Sequence, residues 1–466
     1  MLGRNCSEPS LFQMVDVESL VPANHQLRKI DAVLDLSFVP DEVARCYVAG
    51  RGRPSIDPEL AVRMMLLGVL YDLSDRELCE EIQMHAGMRW FCRLNFHDPI
   101  PDHSTLSRLR NERWAESGLL DRLMDEVIRQ CCEAGLVSGR HLSVDGTEVR
   151  ANASMKSLTR RVAGQSNDDD LPPTVEETQE PKPAGDWKGR GERYSNETHF
   201  STTDPDARLY RKGNSREARL SYLVHDLIDT KSRVILRRKA STATGTAERD
   251  VALEMLDEVL ESAEDLGLPQ RPEILTGDKG YGASDLIAEV IDRAMEPHIP
   301  LLAHETEEEL PTWQRATFDL EKKRARNRKL KEAQARNRAR EIHKTRGYIV
   351  SRKLRIRSEH VFAEGKNEHG LRRARRRGQR RVDAQATLSA VVQNLKRLAG
   401  FKGYRHGTPA SAASPVASGP LFRPAFAHIR PYLRYIRTSV TRASSQIPVL
   451  APRPSRPGRR FPAFAR

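Results

Sequence analysis

Apolar positions along the chain change period near residue 139, from a helical repeat to the alternation of strands. From Pro58 to Tyr71 the run is almost continuously apolar, with Gly52-Arg53-Pro54 before it and Ser74 after it, and predicts a buried helix. Ser74-Asp75-Arg76-Glu77 has the S-x-x-E form in which the serine and the glutamate each satisfy an orphan backbone donor, so a second helix is expected over about 75–84. A third is expected after Asp102-His103-Ser104, running through Thr105, Leu106, Leu109 and Trp114 with Arg108, Arg110 and Arg113 on its polar side. A fourth, over 119–132, has Leu120, Leu123, Val127 and Ile128 as its stripe.

Beyond Gly139 the residues from His141 to Thr147 alternate as a strand that carries Asp145 near its end. Residues 155–196 hold Asp168-Asp169-Asp170, several prolines and few apolar side chains, and predict an exposed insertion. Two strands, 220–228 and 233–238, flank Asp229-Thr230-Lys231-Ser232 as a hairpin, and a helix follows over 247–264. Pro272 to Asp278 reads as a short strand ending in a turn, where Gly280 and Gly282 around Tyr281 allow close approach of a ligand to the backbone. A helix over 284–294, a strand over 298–302, a helix over 353–366 and an apolar-striped helix over 384–398 complete the ordered pattern. A three-stranded antiparallel meander followed by alternating helices and strands is the order of an RNase H-like α/β fold, here behind an all-α N-terminal region. The expected domains are 1–136, helical; 137–400, RNase H-like, with the insertion 155–196 and a basic helical insertion 305–346; and a disordered tail, 401–466.

Composition narrows the function. No apolar run reaches the roughly 18 residues of a membrane span, and no leader pattern opens the chain, so a cytoplasmic, nucleoid-associated location is expected. The six cysteines include no C-x-x-C pair, which supports neither a disulfide framework nor a zinc site. The formal charge of +13 points to a polyanion, but residues 401–466 contribute 12 Lys and Arg and no acid, so the case rests on clusters. That tail is rich in Pro, Arg, Ala and Ser, a composition that an out-of-frame reading of a G+C-rich gene also yields. The clusters are Glu321 to Arg346, with 12 Lys and Arg against three Glu, and Leu371 to Arg381, where Arg372, Arg373, Arg375, Arg376 and Arg377 lead a run of seven arginines in eleven positions. Near the N-terminus, two short helices before a basic one resemble a helix-turn-helix, while a bundle with a solvated basic face explains the same pattern equally well.

Candidate chemistry lies in three acidic positions. Metal-assisted phosphodiester cleavage needs carboxylates that hold divalent ions, and magnesium suits an all-oxygen nest because it keeps waters for the substrate. Asp145 and Asp278 end strands, and Glu359 is flanked at helical spacing by Arg355 and Lys366. Taken singly, each aspartate is equally a turn or capping residue, and the Arg355–Glu359 spacing is that of an ordinary solvated ion pair.

Together, Asp145-Gly146-Thr147, Gly277-Asp278-Lys279-Gly280-Tyr281, and Arg355 with Glu359 and Lys366 resemble the three blocks of the DDE transposases of bacterial insertion sequences. Residues 52–58 and 102–106 resemble the helical N-terminal domain of the InsH-type branch. The resemblance covers about 10–400. It implies an enzyme that binds terminal inverted repeats and cleaves and joins DNA by direct transesterification, with Asp145, Asp278 and Glu359 as catalytic ligands of two Mg2+ ions, Mn2+ being an alternative. It further implies Arg355 and Lys366 as contacts to DNA phosphates, double-stranded transposon ends and target as substrates, and a homodimer or higher assembly. The related signature has a tyrosine three positions before the arginine; here that residue is Arg352, which can meet a phosphate but not stack as a phenol does. Glu364 rivals Glu359 as third carboxylate, on a different helix face. A nuclease without strand transfer and a catalytically inactive DNA-binding protein are the competing readings.

Overall fold

The computed structural model describes residues 16–48, 55–161, 194–211, 213, 217–244, 247–302, 310–313 and 319–401. The expected insertion lies outside the described residues from 162 to 193, as do parts of 305–346 and the tail from 402 onward.

Helix α1, Pro58–Leu70, starts where the Asp57 side chain accepts from Glu59 N at 2.9 Å and buries Ala61 to Gly68 on all sides, which is why its sequence shows a run and not a stripe. In α2, Asp75–Met84, both halves of the capping box form: Ser74 N donates to Glu77 Oε2 at 2.9 Å and Glu77 N to Ser74 Oγ at 3.3 Å. Helix α3, His103–Arg108, is shorter than expected because the chain widens into a π turn over Leu109–Arg113. Helix α4, Leu119–Glu133, buries Leu123, Val127 and Ile128. Four shorter helices, Val17–Leu20, Gln26–Asp31, Val39–Val43 and Ala86–Phe91, complete the region; at six residues or fewer they carry no readable period.

The six-stranded sheet is built from β1 (His141–Arg150), β2 (Arg219–Asp229), β3 (Ile235–Thr242), β4 (Ile274–Thr276) and β5 (Glu296–His298), in the order β3-β2-β1-β4-β5, with the short strand Arg208–Tyr210 also paired to the start of β2. The first three pair antiparallel and the last two join parallel to β1, so the core is RNase H-like. Three strands of three residues each, Leu158–Arg160, His199–Ser201 and Arg208–Tyr210, escape sequence reading because alternation needs more positions. The last core strand forms at 296–298, ahead of the expected 298–302.

Between strands come α5, Ala247–Glu261, and α6, Ser284–Asp292. After β5 follow α7, Leu320–His343, α8, Arg346–Leu354, α9, Ile356–Glu368, and α10, Gln379–Gly400. The single helix expected over 353–366 is two, with Arg355 at the joint. Helix α10 is buried along most of its length, against β3 on one side and α4 and α1 on the other, so one hydrophobic core runs through the helical region and the sheet. Within it Asp226 and Arg238 pair across β2 and β3 through two bonds of 2.5 and 2.6 Å, and Arg238 also donates to Ser389 of α10. No helix among the described residues is long and apolar enough to cross a membrane.

Candidate active site

The register of the parallel pair β1–β4 sets Ser143 opposite Thr276, so Asp145 and Asp278, each two residues further along, stand side by side; Asp278 lies just past β4, whereas Asp145 is mid-strand and not at a strand end as expected, because β1 goes on pairing with β2 to Arg150. Asp145 accepts from Gly146 N at 2.9 Å, and Asp278 caps a short 3-10 turn by accepting from Gly280 N at 2.8 Å. Burial pushes the Asp145 carboxyl up to about 7; the Gly146 bond opposes this, the Asp278 charge adds to it and the Arg355 guanidinium draws it back.

Helix α9 lies along the same face of β1. Ser143 Oγ and Ser358 Oγ share a buried hydrogen bond at 2.9 Å, and Lys366 Nζ donates to Thr147 Oγ1 at 2.7 Å. These contacts bracket Asp145 on the strand and Glu359 on the helix. Arg357 fixes the start of α9 by donating to the carbonyls of Thr230 and Lys231 in the β2–β3 turn, at 2.8 and 2.7 Å. Glu359 is half exposed and accepts from Arg355 at 3.1 Å, and the same guanidinium acts on the Asp145 carboxyl, so Arg355 links the two.

Glu364 faces the opposite way, into Lys396 at 2.9 Å and Arg397 at 2.8 Å. Burial alone would raise its carboxyl, but His369, Arg397 and Lys396 outweigh burial and hold it at about 2. Glu364, Glu368 and His369 are the group of metal-type side chains that stands closest together among the described residues, yet the Lys396 ammonium already fills the space, 2.6 Å from Glu368 and 3.2 Å from His369.

A fourth carboxylate, which the sequence pattern hid at the first turn of α5, stands beside the aspartates. A methyl group on Gly146 would lie 3.6 Å from Glu248 Oε1, and one on Gly280 would lie 3.7 Å from Glu248 Oε2 and 3.0 Å from Asp278 Oδ1. Gly282 has another purpose than ligand approach: a side chain there would strike the Pro300 carbonyl at 1.9 Å, so this glycine lets the loop pack on the strand exit.

The chain matches the family model described as Transposase DDE domain over residues 138–395 and that described as Transposase domain (DUF772) over 15–112. It belongs to the DDE transposases of the insertion-sequence type. No solved structure matches it. It is therefore an enzyme acting on DNA, and the family depends on a divalent metal.

The residues of the transposase fit such a metal. Asp145, Asp278 and Glu359 offer only oxygen, the donor preferred by magnesium and manganese, and a cation between Asp145 and Asp278 would offset the burial and repulsion that raise the Asp145 carboxyl. As the side chains stand, no three of these carboxylates have ligand atoms within 4.8 Å of one another, so an ion would draw Glu359 inward from Arg355.

The cations expected at the DNA divide into two sets. Arg110 and Arg376 both donate to Asp75 Oδ2 at 2.7 Å, and Arg375 pairs with Asp72 and the Leu73 carbonyl, so Arg375 and Arg376 clamp the segment before α10 to the transposase's helical region, where Arg110 braces the shared Asp75. Arg352, Arg372, Arg373 and Arg377 are each exposed. Arg108 is exposed on a cleft that also holds Thr105, Glu112 and Arg113. Arg352 lies over the Tyr348 ring at 6.0 Å, so a tyrosine does stand in this helix, one turn before the position where the signature has it.

Proposed function

We propose that this transposase binds the terminal inverted repeats of its element, hydrolyses the phosphodiester at each end to free a 3′ hydroxyl, and joins that hydroxyl to target DNA by direct transesterification. The observation that carries the reading is the pairing of Asp145 with Asp278 by strand register, with Glu359 seated over the same strand by the Ser143–Ser358 and Lys366–Thr147 contacts. Asp145, Asp278 and Glu359 are the catalytic ligands of two Mg2+ or Mn2+ ions, which when bound activate the attacking oxygen and stabilise the leaving one. In hydrolysis a water oxygen bonds to phosphorus as the bond to the 3′ oxygen breaks and that oxygen takes a proton. In joining, the 3′ oxygen attacks a target phosphorus and displaces the next 3′ oxygen, so no covalent protein intermediate forms.

Arg355 and Lys366 hold phosphates at the cut, and Arg352, Arg372, Arg373, Arg377 and Arg108 track the duplex. The helical region to 136 recognises the repeat, residues 137–400 cut and join, and two ends are brought together by a dimer or larger assembly. The test is strand transfer with precut ends carrying a free 3′ hydroxyl, in Mg2+. Joined product is the expected result. Cleavage of uncut ends without joining would make the protein a plain nuclease, and repeat binding with neither step would make it an inactive DNA-binding protein.

A further inference from the structure

Glu248 opens α5, the helix that crosses from β3 to β4, and its two oxygens look at the two aspartate-bearing segments at once. Oε1 stands over Gly146, the neighbour of Asp145, and Oε2 stands over Gly280, whose N–H holds Asp278. An acidic grouping alone would mean little, since the first turn of a helix favours carboxylates in any case.

Two further polar atoms point into the same space. The Tyr281 hydroxyl is buried, with the residue 1 % exposed, and meets no hydrogen-bond partner. His225 is fully buried; its Nε2 lies 2.7 Å from Ser241 Oγ, while Nδ1 has no partner. Both atoms lie 3.3 Å from the point over Gly146 that Glu248 Oε1 also faces. A buried hydroxyl and a buried ring nitrogen are each costly to leave unmatched, so both can meet a polar ligand in this space. A side chain at 146 would fill the space, and glycine keeps it open.

We propose that Glu248 is a further carboxylate of the ion site, taking a hydrated divalent cation together with Asp278, with Tyr281 and His225 as the polar wall that meets the ion's waters. The proposal deepens, and rests on, the metal site assigned to Asp145, Asp278 and Glu359 above. Magnesium and manganese keep several waters when bound by one or two carboxylates, which suits a wall of neutral hydrogen-bonding groups.

The test is Mn2+ binding to the full chain, followed by calorimetry and by the Mn2+ paramagnetic resonance signal, for the wild type, Glu248→Gln, Glu248→Asp, Asp145→Asn and Asp278→Asn. Glu248→Gln is expected to weaken binding on the order of 10- to 100-fold, with Glu248→Asp recovering part of the loss. Wild-type affinity in Glu248→Gln, with affinity lost in the two aspartate variants, overturns the role of Glu248 and leaves the three-carboxylate site standing. Unchanged affinity in all four variants removes the ion site itself. A lowered melting temperature in Glu248→Gln with Mn2+ binding intact makes Glu248 a helix-start residue only. Should Glu248→Gln not fold, Tyr281→Phe is read in its place: a several-fold weaker Mn2+ affinity supports the proposal, and an unchanged one overturns it.

Discussion

Ser143 of β1 and Ser358 of α9 share a hydrogen bond of 2.9 Å with both residues about 1 % exposed. The bond ties the strand that carries Asp145 to the helix that carries Glu359, across 215 residues of chain. A polar pair in that place fixes the axial position of α9 in a way that an apolar contact, which tolerates sliding, would not.

Replacing either serine with alanine strands the other hydroxyl in the core, so each single variant is expected to lose about 1–3 kcal/mol in urea unfolding. The double variant removes both partners together and is expected to lose less than the sum of the two. Additive losses would mean that the two hydroxyls do not depend on one another.

Asp145→Asn, Asp278→Asn and Glu359→Gln are each expected to lower end cleavage by more than about 100-fold while binding of the repeat persists in a gel-shift assay. Glu364→Gln should behave in the opposite way, losing stability because Lys396 and Arg397 lose their carboxylate, yet still cleaving. Cleavage by Glu359→Gln together with none by Glu364→Gln would exchange the roles of the two.

The raised Asp145 carboxyl sets a pH dependence. Between about pH 4 and 7 an unfolded chain has released the Asp145 proton and the native one has kept it, so this residue's contribution to stability falls as pH rises through that window. Asp145→Asn should therefore match the wild type near pH 4 and exceed it at pH 8 by about 1–3 kcal/mol in thermal unfolding. Adding Mg2+ at pH 8 should narrow the difference, because the cation replaces the proton in the wild type alone.

Asp75 holds Arg110, which is 7 % exposed in its side chain, and Arg376 at once. Asp75→Asn is expected to cost about 2–3 kcal/mol, since two guanidinium groups then lose their counter-charge. Arg376→Ala should leave the salt dependence of DNA binding near the wild-type slope, whereas Arg373→Ala and Arg377→Ala should each lower it by about one. A full loss of slope in Arg376→Ala would mean that the clamp opens on DNA.

Much of the molecule was legible in the sequence. The long helices showed their stripes or runs, Ser74 and Glu77 announced their capping box, and the meander followed by alternation named the fold. The strands Leu158–Arg160, His199–Ser201 and Arg208–Tyr210 and the short N-terminal helices were invisible, because a period needs several repeats to be seen. Three of the arginines in the basic clusters could not be told from phosphate ligands, since Arg375, Arg376 and Arg110 find their carboxylates at Asp72 and Asp75 about 35 to 300 residues away. Glu248 sat unnoticed among the charges of α5, because nothing local distinguishes it from Asp250 two residues on.

What the sequence determined by itself was local and periodic: which of the longer segments are helix or strand, that a strand carries Asp145 and a turn carries Asp278, and the spacing of Arg355, Glu359 and Lys366 along the chain. Tertiary structure alone decided the register of β1 against β4 that sets the two aspartates side by side, the seating of α9 through Ser358 and Lys366, the turning of Glu364 toward α10, and the arrival of Glu248 over Gly146 and Gly280. The reason is physical. Propensity and capping act over a few residues, whereas strand register and buried polar matching couple groups whose separation along the chain the sequence does not encode as proximity.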